Sequence, residues 1–573
     1  MQERGIQIRI WAVAVLLFFA FCGLGAKLAY LHLSNHSKVT GREYKRTLLG
    51  LRGSIFDCNG KQYPMAVSLP ARQFYLDPKA VKAEHDVRKI SQTVADCLNL
   101  DAKDVLQKFS QTDSRYIKLG YSLDDRIFEV LSDPKAISGV GSEEIVLRRY
   151  PQGRRMSHVL GFVNNMGVGG AGIEQQYNRY LTGTPGLIEG EKDAGRREIF
   201  SRRRMHVPAI AGSDLYLTLD HNIQYEVERA VQEVVEKFEA TAGWAIVQRI
   251  KTGEILAITS YPDFEPENYT ETALDVWRNN ALAIVYEPGS IMKAVTVAAL
   301  LNERLATPDT LIDVGEGVWF YGGKPLRDHV TGRITVSTAL KKSSNIACAK
   351  MGLMLGNKRL EAYLRAFSFG AKLGIELPGE ERGILARSKD WDKLKPVRIP
   401  IGQGIAVTGL QMINAYSTLA NDGVMMRPYL VDRIVAASGE TVFKAKPEVM
   451  GRPIRPEVAR KVREMLVGVT EEGGTGKRAS VHGYSIGGKT GTAQKAVPGG
   501  YSSTDYYASF VGFVPAREPV FSVLVSVERP RPQHTGGFVS APAFAKIAAA
   551  TARYLEIAPD LPPEEEDLEL GQP

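Results

Sequence analysis

From Ile10 to Ala26 the chain reads IWAVAVLLFFAFCGLGA, 17 residues without a charge, and Leu28 to Leu33 extend the apolar character past Lys27. At 1.5 Å per residue a helix of that length reaches about 26 Å, and with the Lys27 ammonium drawn to the interface it covers a hydrocarbon core of ~30 Å. The run predicts a transmembrane anchor over 10–33, preceded by a short cytoplasmic tail over 1–9. Arg4 and Arg9 give it the charged start of a signal peptide, but no small-x-small cleavage site closes it, and Phe21 is too bulky for lipoprotein processing at Cys22. Orientation poses a conflict. Lys27, Lys38, Arg42, Lys45 and Arg46 outnumber Arg4 and Arg9, so a simple positive-inside count would leave the bulk of the chain in the cytoplasm.

No other stretch approaches membrane length. The remainder is too long for one compact module, and 44% hydrophobic against 24% charged residues excludes disorder for most of it. The net charge of +8 does not imply nucleic acid, because the Lys and Arg are scattered and no basic stretch is interleaved with stacking aromatics. The four cysteines, Cys22, Cys58, Cys97 and Cys348, form no C-x-x-C pair. Among the histidines only His32 and His36 stand at helical spacing, with no ligand set around them. No metal, no disulfide framework and no cofactor are expected.

Residues 40–215 read as a mixed α/β region of short elements: a strand running into the Asn59-Gly60 turn, another over Val67 to Tyr75, and helices over Val105 to Phe109 and Asp124 to Leu131. Over 216–557 the elements lengthen. Ile223 to Phe238 has helical period, and Ala242 to Ser260 reads as two strands joined at Lys251-Thr-Gly253. The Pro- and Glu-rich stretch 558–573, carrying Asp560, Glu564, Glu565, Glu566, Asp567 and Glu569, reads as an acidic disordered tail.

Two glycine-rich motifs carry no nucleotide. Gly167 to Gly172 matches G-x-G-x-x-G without the repeated strand-helix-strand wrapping that fingerprint needs, and Gly473-Gly-Thr-Gly-Lys477 has Glu471 where a phosphate loop needs its first glycine. Chemistry lies elsewhere. Ser290-Ile-Met-Lys293 follows the Pro288-Gly289 turn and runs into the apolar stretch Ala294 to Leu301, which predicts a buried helix with Ser290 at its N-terminus. Residues three apart share a helix face, and burial disfavours an ammonium, so Lys293 can serve as base toward the Ser290 hydroxyl. Ser132-Asp-Pro-Lys135 also matches S-x-x-K, but Pro134 breaks the helix that would align the pair. After Ser290 come Ser343-Ser-Asn345, an S-x-N, and then Lys489-Thr490-Gly491, a K-T-G opening a β-rich tract. Singly these triplets are caps, turns and surface lysines. As an ordered set in one domain they mark penicillin-binding proteins and β-lactamases.

The resemblance extends well beyond the triplets. RGSIFDCNG at Arg52, YPQGRRMSHVLGFV at Tyr150, GAGIEQQYNRYLTGTPG at Gly170, LTLDHNIQ at Leu217, YEPGSIMK, KKSSNIACAK, GQGIAVTGLQMINAYSTLANDG at Gly402, GTGKRA and GGKTGTAQK together resemble the class B penicillin-binding proteins over nearly the whole chain. The stretch near Val67 is most similar to the division-specific branch, the septal peptidoglycan transpeptidase and its sporulation relative. The resemblance implies an α+β protein: an N-terminal transmembrane helix, a mixed α/β pedestal of dimerisation type, and a transpeptidase domain of five antiparallel strands flanked by helices. It also implies that the large region is extracytoplasmic, since long domains translocate largely regardless of flanking charge.

The implied reaction is acyl transfer on a stem peptide ending in D-Ala-D-Ala, with β-lactams as inhibitors. By the matched motifs, Ser290 is nucleophile, Lys293 base, Ser343 a proton relay, and Asn345 a substrate-orienting amide. Lys489 keeps Lys293 deprotonated, Thr490 and Thr492 bind the terminal carboxylate, and Gly491 leaves room for the peptide. Backbone N–H groups of Ser290 and Thr492 form the oxyanion hole. A membrane glycosyltransferase and division-complex proteins are the implied partners. One departure is Cys58, where the family segment usually carries Arg. The alternatives are an elongation-specific transpeptidase, a D,D-carboxypeptidase using water, and a non-hydrolytic β-lactam sensor or division scaffold. His329 and His534 receive no role.

Overall fold

The computed structural model describes residues 2–35, 42–81, 86–110, 114–132, 137–193 and 198–562. Residues 133–135 of the second S-x-x-K, and the acidic tail beyond 562, lie outside them. The chain's contacts divide it into two units, Met1–Leu51 with Gly183–Ala211, and Arg52–Thr182 with Gly212–Pro573. The first holds a helix over Gln2–Asn35, within which the 26 residues Gly5–Tyr30 are long and apolar enough to cross a membrane. Ile10, Trp11, Phe18, Phe19 and Phe21 are all exposed on it, and a helix apolar on every side is suited to lipid. The same unit holds a sheet in which Gly186–Lys192 pairs antiparallel with Arg42–Leu48 and Met205–Val207.

In the second unit a five-stranded antiparallel sheet runs in the order Ile255–Tyr261, Ala242–Arg249, Phe521–Glu528, Gly500–Val514, Gly487–Val497. Successive side chains of a strand point to opposite faces, and here both faces are covered. Ala245, Val247 and Val525 pack with Val227 and Val231 of helix His221–Lys237 and Val539 and Phe544 of helix Gly536–Tyr554. Trp244, Ile246 and Leu524 pack on the other side with Val295 of helix Lys293–Asn302 and Leu410 and Ile413 of helix Gly409–Ala420. This two-sided burial explains the nearly unbroken apolar run at Phe521–Glu528. Helix Gly409–Ala420 is buried at every position and Lys293–Asn302 at all but its last, as sequences lacking a polar face require.

A separate seven-stranded sheet combines distant segments: Thr441–Lys444, Val431–Val435, Asp214–Leu217, Ile55–Asp57, Gly60–Leu76 and Ile117–Ser122 in order, with Val140–Arg149 also on Gly60–Leu76. Beside it, Glu174 is fully buried and accepts from Arg52 Nε and Arg148 Nε, each at 2.6 Å.

Candidate active site

The segment carrying Ser290 is a tight turn, Gly289–Met292, leading into the buried helix Lys293–Asn302. Gly289 has φ of +57°, and its N–H donates to the Gly402 carbonyl at 3.0 Å; a Cβ on Gly402 would stand 2.1 Å from the Gly289 carbonyl oxygen. Both positions therefore need glycine, one for its dihedral and one for the close approach. The turn is pinned twice more. Tyr416 from helix Gly409–Ala420 donates to the Ile291 carbonyl at 2.8 Å, and Glu287 accepts from the Gly404 N–H at 2.7 Å and the Tyr501 hydroxyl at 3.2 Å.

Lys293 has no exposed surface. Its Nζ donates to the Ser343 carbonyl at 2.6 Å, the Ser343 hydroxyl at 3.1 Å and Asn345 Oδ1 at 2.7 Å. Ser343 has φ of +59°, an uncommon value for a residue with a side chain, which turns both its carbonyl and hydroxyl toward Nζ. Among the described residues no hydrogen bond joins Lys293 to Ser290. The three acceptors around Nζ hold the amine three residues along from Ser290, which is half-buried and lines a groove.

Asp328, which the sequence reading missed, supports the S-x-N. Its buried carboxylate accepts from the Ser344 hydroxyl and, at 3.0 Å, from the Ile346 N–H, while Ser344 itself caps helix Asn345–Leu355 by accepting from Ala347 N–H. Negative charge at a helix N-terminus is favourable, so the two caps reinforce each other. Nothing in one sequence singles out Asp328, 16 positions upstream, among the acidic residues of its hairpin.

On the opposite wall, strand Gly487–Val497 places Lys489, Thr490, Gly491 and Thr492 in succession. Lys489 is fully buried, with only long contacts to the Thr490 carbonyl and hydroxyl at 3.3 and 3.4 Å. A Cβ on Gly491 would lie 3.1 Å from Ile291 Cγ2 and 3.2 Å from the Pro288 carbonyl oxygen, so glycine here lets the strand pack on the turn that carries Ser290. The Thr490 hydroxyl pairs with that of Thr475 at 2.8 Å, and Thr492 accepts from the Gly536 N–H at 3.1 Å. Thr475 belongs to the Gly-Thr-Gly-Lys segment, set aside as a phosphate loop and matched to the family as GTGKRA; its hydrogen bond to the K-T-G shows only in the fold.

Between the walls lies a groove of about 620 Å³ lined by Ser290, Ser343, Asn345, Thr490 and Thr492, with His329 and Phe538 at its margins. Lys293, Lys489 and Gly491 are buried beneath its surface. Burial pushes Lys293 below the ordinary lysine value, with Cys348 and Asp328 acting in opposition. Lys489 is pushed well below that value too, first by burial and then by the charge of Lys293. Cys348, also buried, has its thiol raised by desolvation and serves as core. A hydroxyl in a groove, a buried amine of lowered basicity beneath it, and a second hydroxyl touching that amine can together form and resolve an ester.

The sequence matches the penicillin binding protein transpeptidase domain over residues 243–549 and the penicillin-binding protein dimerisation domain over 47–217. The chain is a class B penicillin-binding protein. It is 30% identical over 583 aligned residues to the stage V sporulation protein D of Bacillus subtilis, a match covering 98% of this chain and 88% of that one. The peptidoglycan D,D-transpeptidase FtsI of Escherichia coli is 29% identical, with 98% of this chain and 94% of that one covered. Among solved structures, penicillin binding protein 3 of Mycobacterium tuberculosis in complex with ampicillin superposes with a TM-score of 0.71 at 27% identity, over 90% of this chain and 98% of that one. The penicillin-binding family, its α+β fold with antiparallel transpeptidase sheet, and its transpeptidase activity are thereby those expected from the sequence, and the N-terminal apolar helix is compatible with a single-pass anchor.

Proposed function

We propose that Ser290 attacks the penultimate carbonyl of a D-Ala-D-Ala stem peptide, that the terminal D-Ala leaves, and that an amine of a neighbouring strand takes the acyl group to form a wall crosslink. The observation that carries this reading is Ser290 lining the groove three residues before a buried Lys293 whose amine is gripped by Ser343 and Asn345. Lys293 in its neutral form receives the Ser290 proton. The Ser343 hydroxyl, 3.1 Å from Nζ, passes a proton to the departing nitrogen. Asn345 orients the substrate amide and Lys293. The backbone N–H groups of Ser290 and Thr492 stabilise the oxyanion, an effect worth about 3 kcal/mol per donor in other acyl-transfer enzymes.

Three acceptors surround Lys293 Nζ and only long contacts surround Lys489, so in the empty groove a proton resides more readily on Lys293. A substrate carboxylate arriving at Thr490 and Thr492 favours charge on Lys489 instead. Like-charge repulsion then discharges Lys293, and the base is generated as substrate binds. The reading places this chemistry outside the cytoplasmic membrane in septal wall synthesis, alongside a membrane glycosyltransferase and division-complex proteins; resemblance in the stretch near Val67 supports the division branch. The test is labelled penicillin on the purified protein: a covalent adduct that disappears in Ser290→Ala is expected, and an adduct that survives the substitution would overturn the assignment.

A further inference from the structure

The K-T-G hydroxyls offer a substrate carboxylate neutral hydrogen bonds. Lys489 and Lys293 are buried, and in the empty groove that burial discourages charge on them, so neither presents an exposed cation to a carboxylate on its way in. Of the two cations on the adjoining turn Lys477–Ala479, Lys477 is engaged by Glu472. Arg478 is exposed, lines the groove, and among the described residues has no carboxylate partner. Its guanidinium lies 3.6 Å from the centroid of Phe538, a ring that is 44% exposed and lines the same groove.

Two tethers bring this stacked pair to the K-T-G edge. Thr475, three residues before Arg478, hydrogen-bonds Thr490; Gly536, two residues before Phe538, donates to Thr492. Stacking on a ring leaves a guanidinium's edge N–H groups free, and with both residues lining the groove Arg478 can meet a carboxylate there in bidentate fashion. We propose that Arg478, held by Phe538, is a specificity-determining residue that supplies the positive charge for the terminal carboxylate of the donor peptide, and of a β-lactam in its place. This rests on the acyl-enzyme reading above: Thr490 and Thr492 orient the carboxylate, and Arg478 selects for its charge.

The experiment compares acylation of the full-length protein by benzylpenicillin and by its methyl ester, which lacks the charge. Arg478→Ala is expected to slow acylation by the free acid about 10- to 100-fold, as loss of a charge-assisted hydrogen bond does, while leaving the ester's rate unchanged. Arg478→Lys, keeping charge without the planar fork, is expected to recover part of the loss. Equal slowing of acid and ester, or no slowing of either, would overturn the proposal while leaving Ser290 as the acylated residue. Absence of any acylation of the unmodified protein would instead sink the acyl-enzyme reading and this inference with it.

Discussion

At the scale of single residues, the site's function conflicts with its stability. Lys489 is fully buried without an ion pair among the described residues, and its folded-state pKa lies well below the ordinary 10.5. Between those two values the unfolded chain binds a proton that the folded chain rejects, so the lysine destabilises the fold at neutral pH, and this penalty fades as pH rises toward 10.5. Lys489→Met is therefore expected to abolish acylation yet raise the melting temperature at pH 7, by about 2–4 °C for each kcal/mol recovered, with the gain shrinking near pH 10. Melting curves at the two pH values check this; a lower Tm at pH 7 would show that the amine's contacts outweigh its desolvation. The residues that meet around the groove were legible because each stands in a short motif: Ser290 and Lys293 three apart, Asn345 after a capping serine, Thr490 and Thr492 on one strand. Asp328, Thr475 and Arg478 were not, since their meaning comes from partners 15 to 60 positions away, such as Thr490 for Thr475 and Phe538 for Arg478.

At the scale of elements, locally encoded structure was readable and long-range pairing was not. The hairpin Ala242–Arg249 to Ile255–Tyr261 follows from two apolar runs around a turn with Gly253 at φ of +85°. No periodicity announces that Ile55–Asp57 runs parallel to Asp214–Leu217, or that Val431–Val435 completes the same sheet, because such pairings leave no local pattern. Around that sheet the segments are held by charge: Glu174 binds Arg52 and Arg148, and the Tyr150 hydroxyl approaches it at 3.3 Å. Glu174→Ala would leave two guanidiniums buried and uncompensated, so a loss of about 3–5 kcal/mol is expected in denaturant unfolding of the purified protein. A loss under about 1 kcal/mol would mean that water reaches both arginines and that apolar packing alone holds the strands.

At the scale of the whole molecule, orientation and cellular role are open to one measurement. The basic residues beyond the apolar helix argue for a cytoplasmic catalytic region, whereas a crosslinking enzyme needs wall substrate on the outer side. The translocation of long domains regardless of flanking charge favours the second. Green fluorescent protein fused before Met1 matures only in the cytoplasm, so fluorescence at the membrane is expected if the short N-terminal segment stays inside and Gly5–Tyr30 spans once. A dark but full-length fusion would reverse the topology and leave Ser290 with no wall peptide to attack. The same cells report the role, because a septal enzyme concentrates where division builds wall. Midcell bands in dividing cells are expected; an even lateral pattern would move the protein to the elongation branch while leaving its acyl-transfer chemistry untouched.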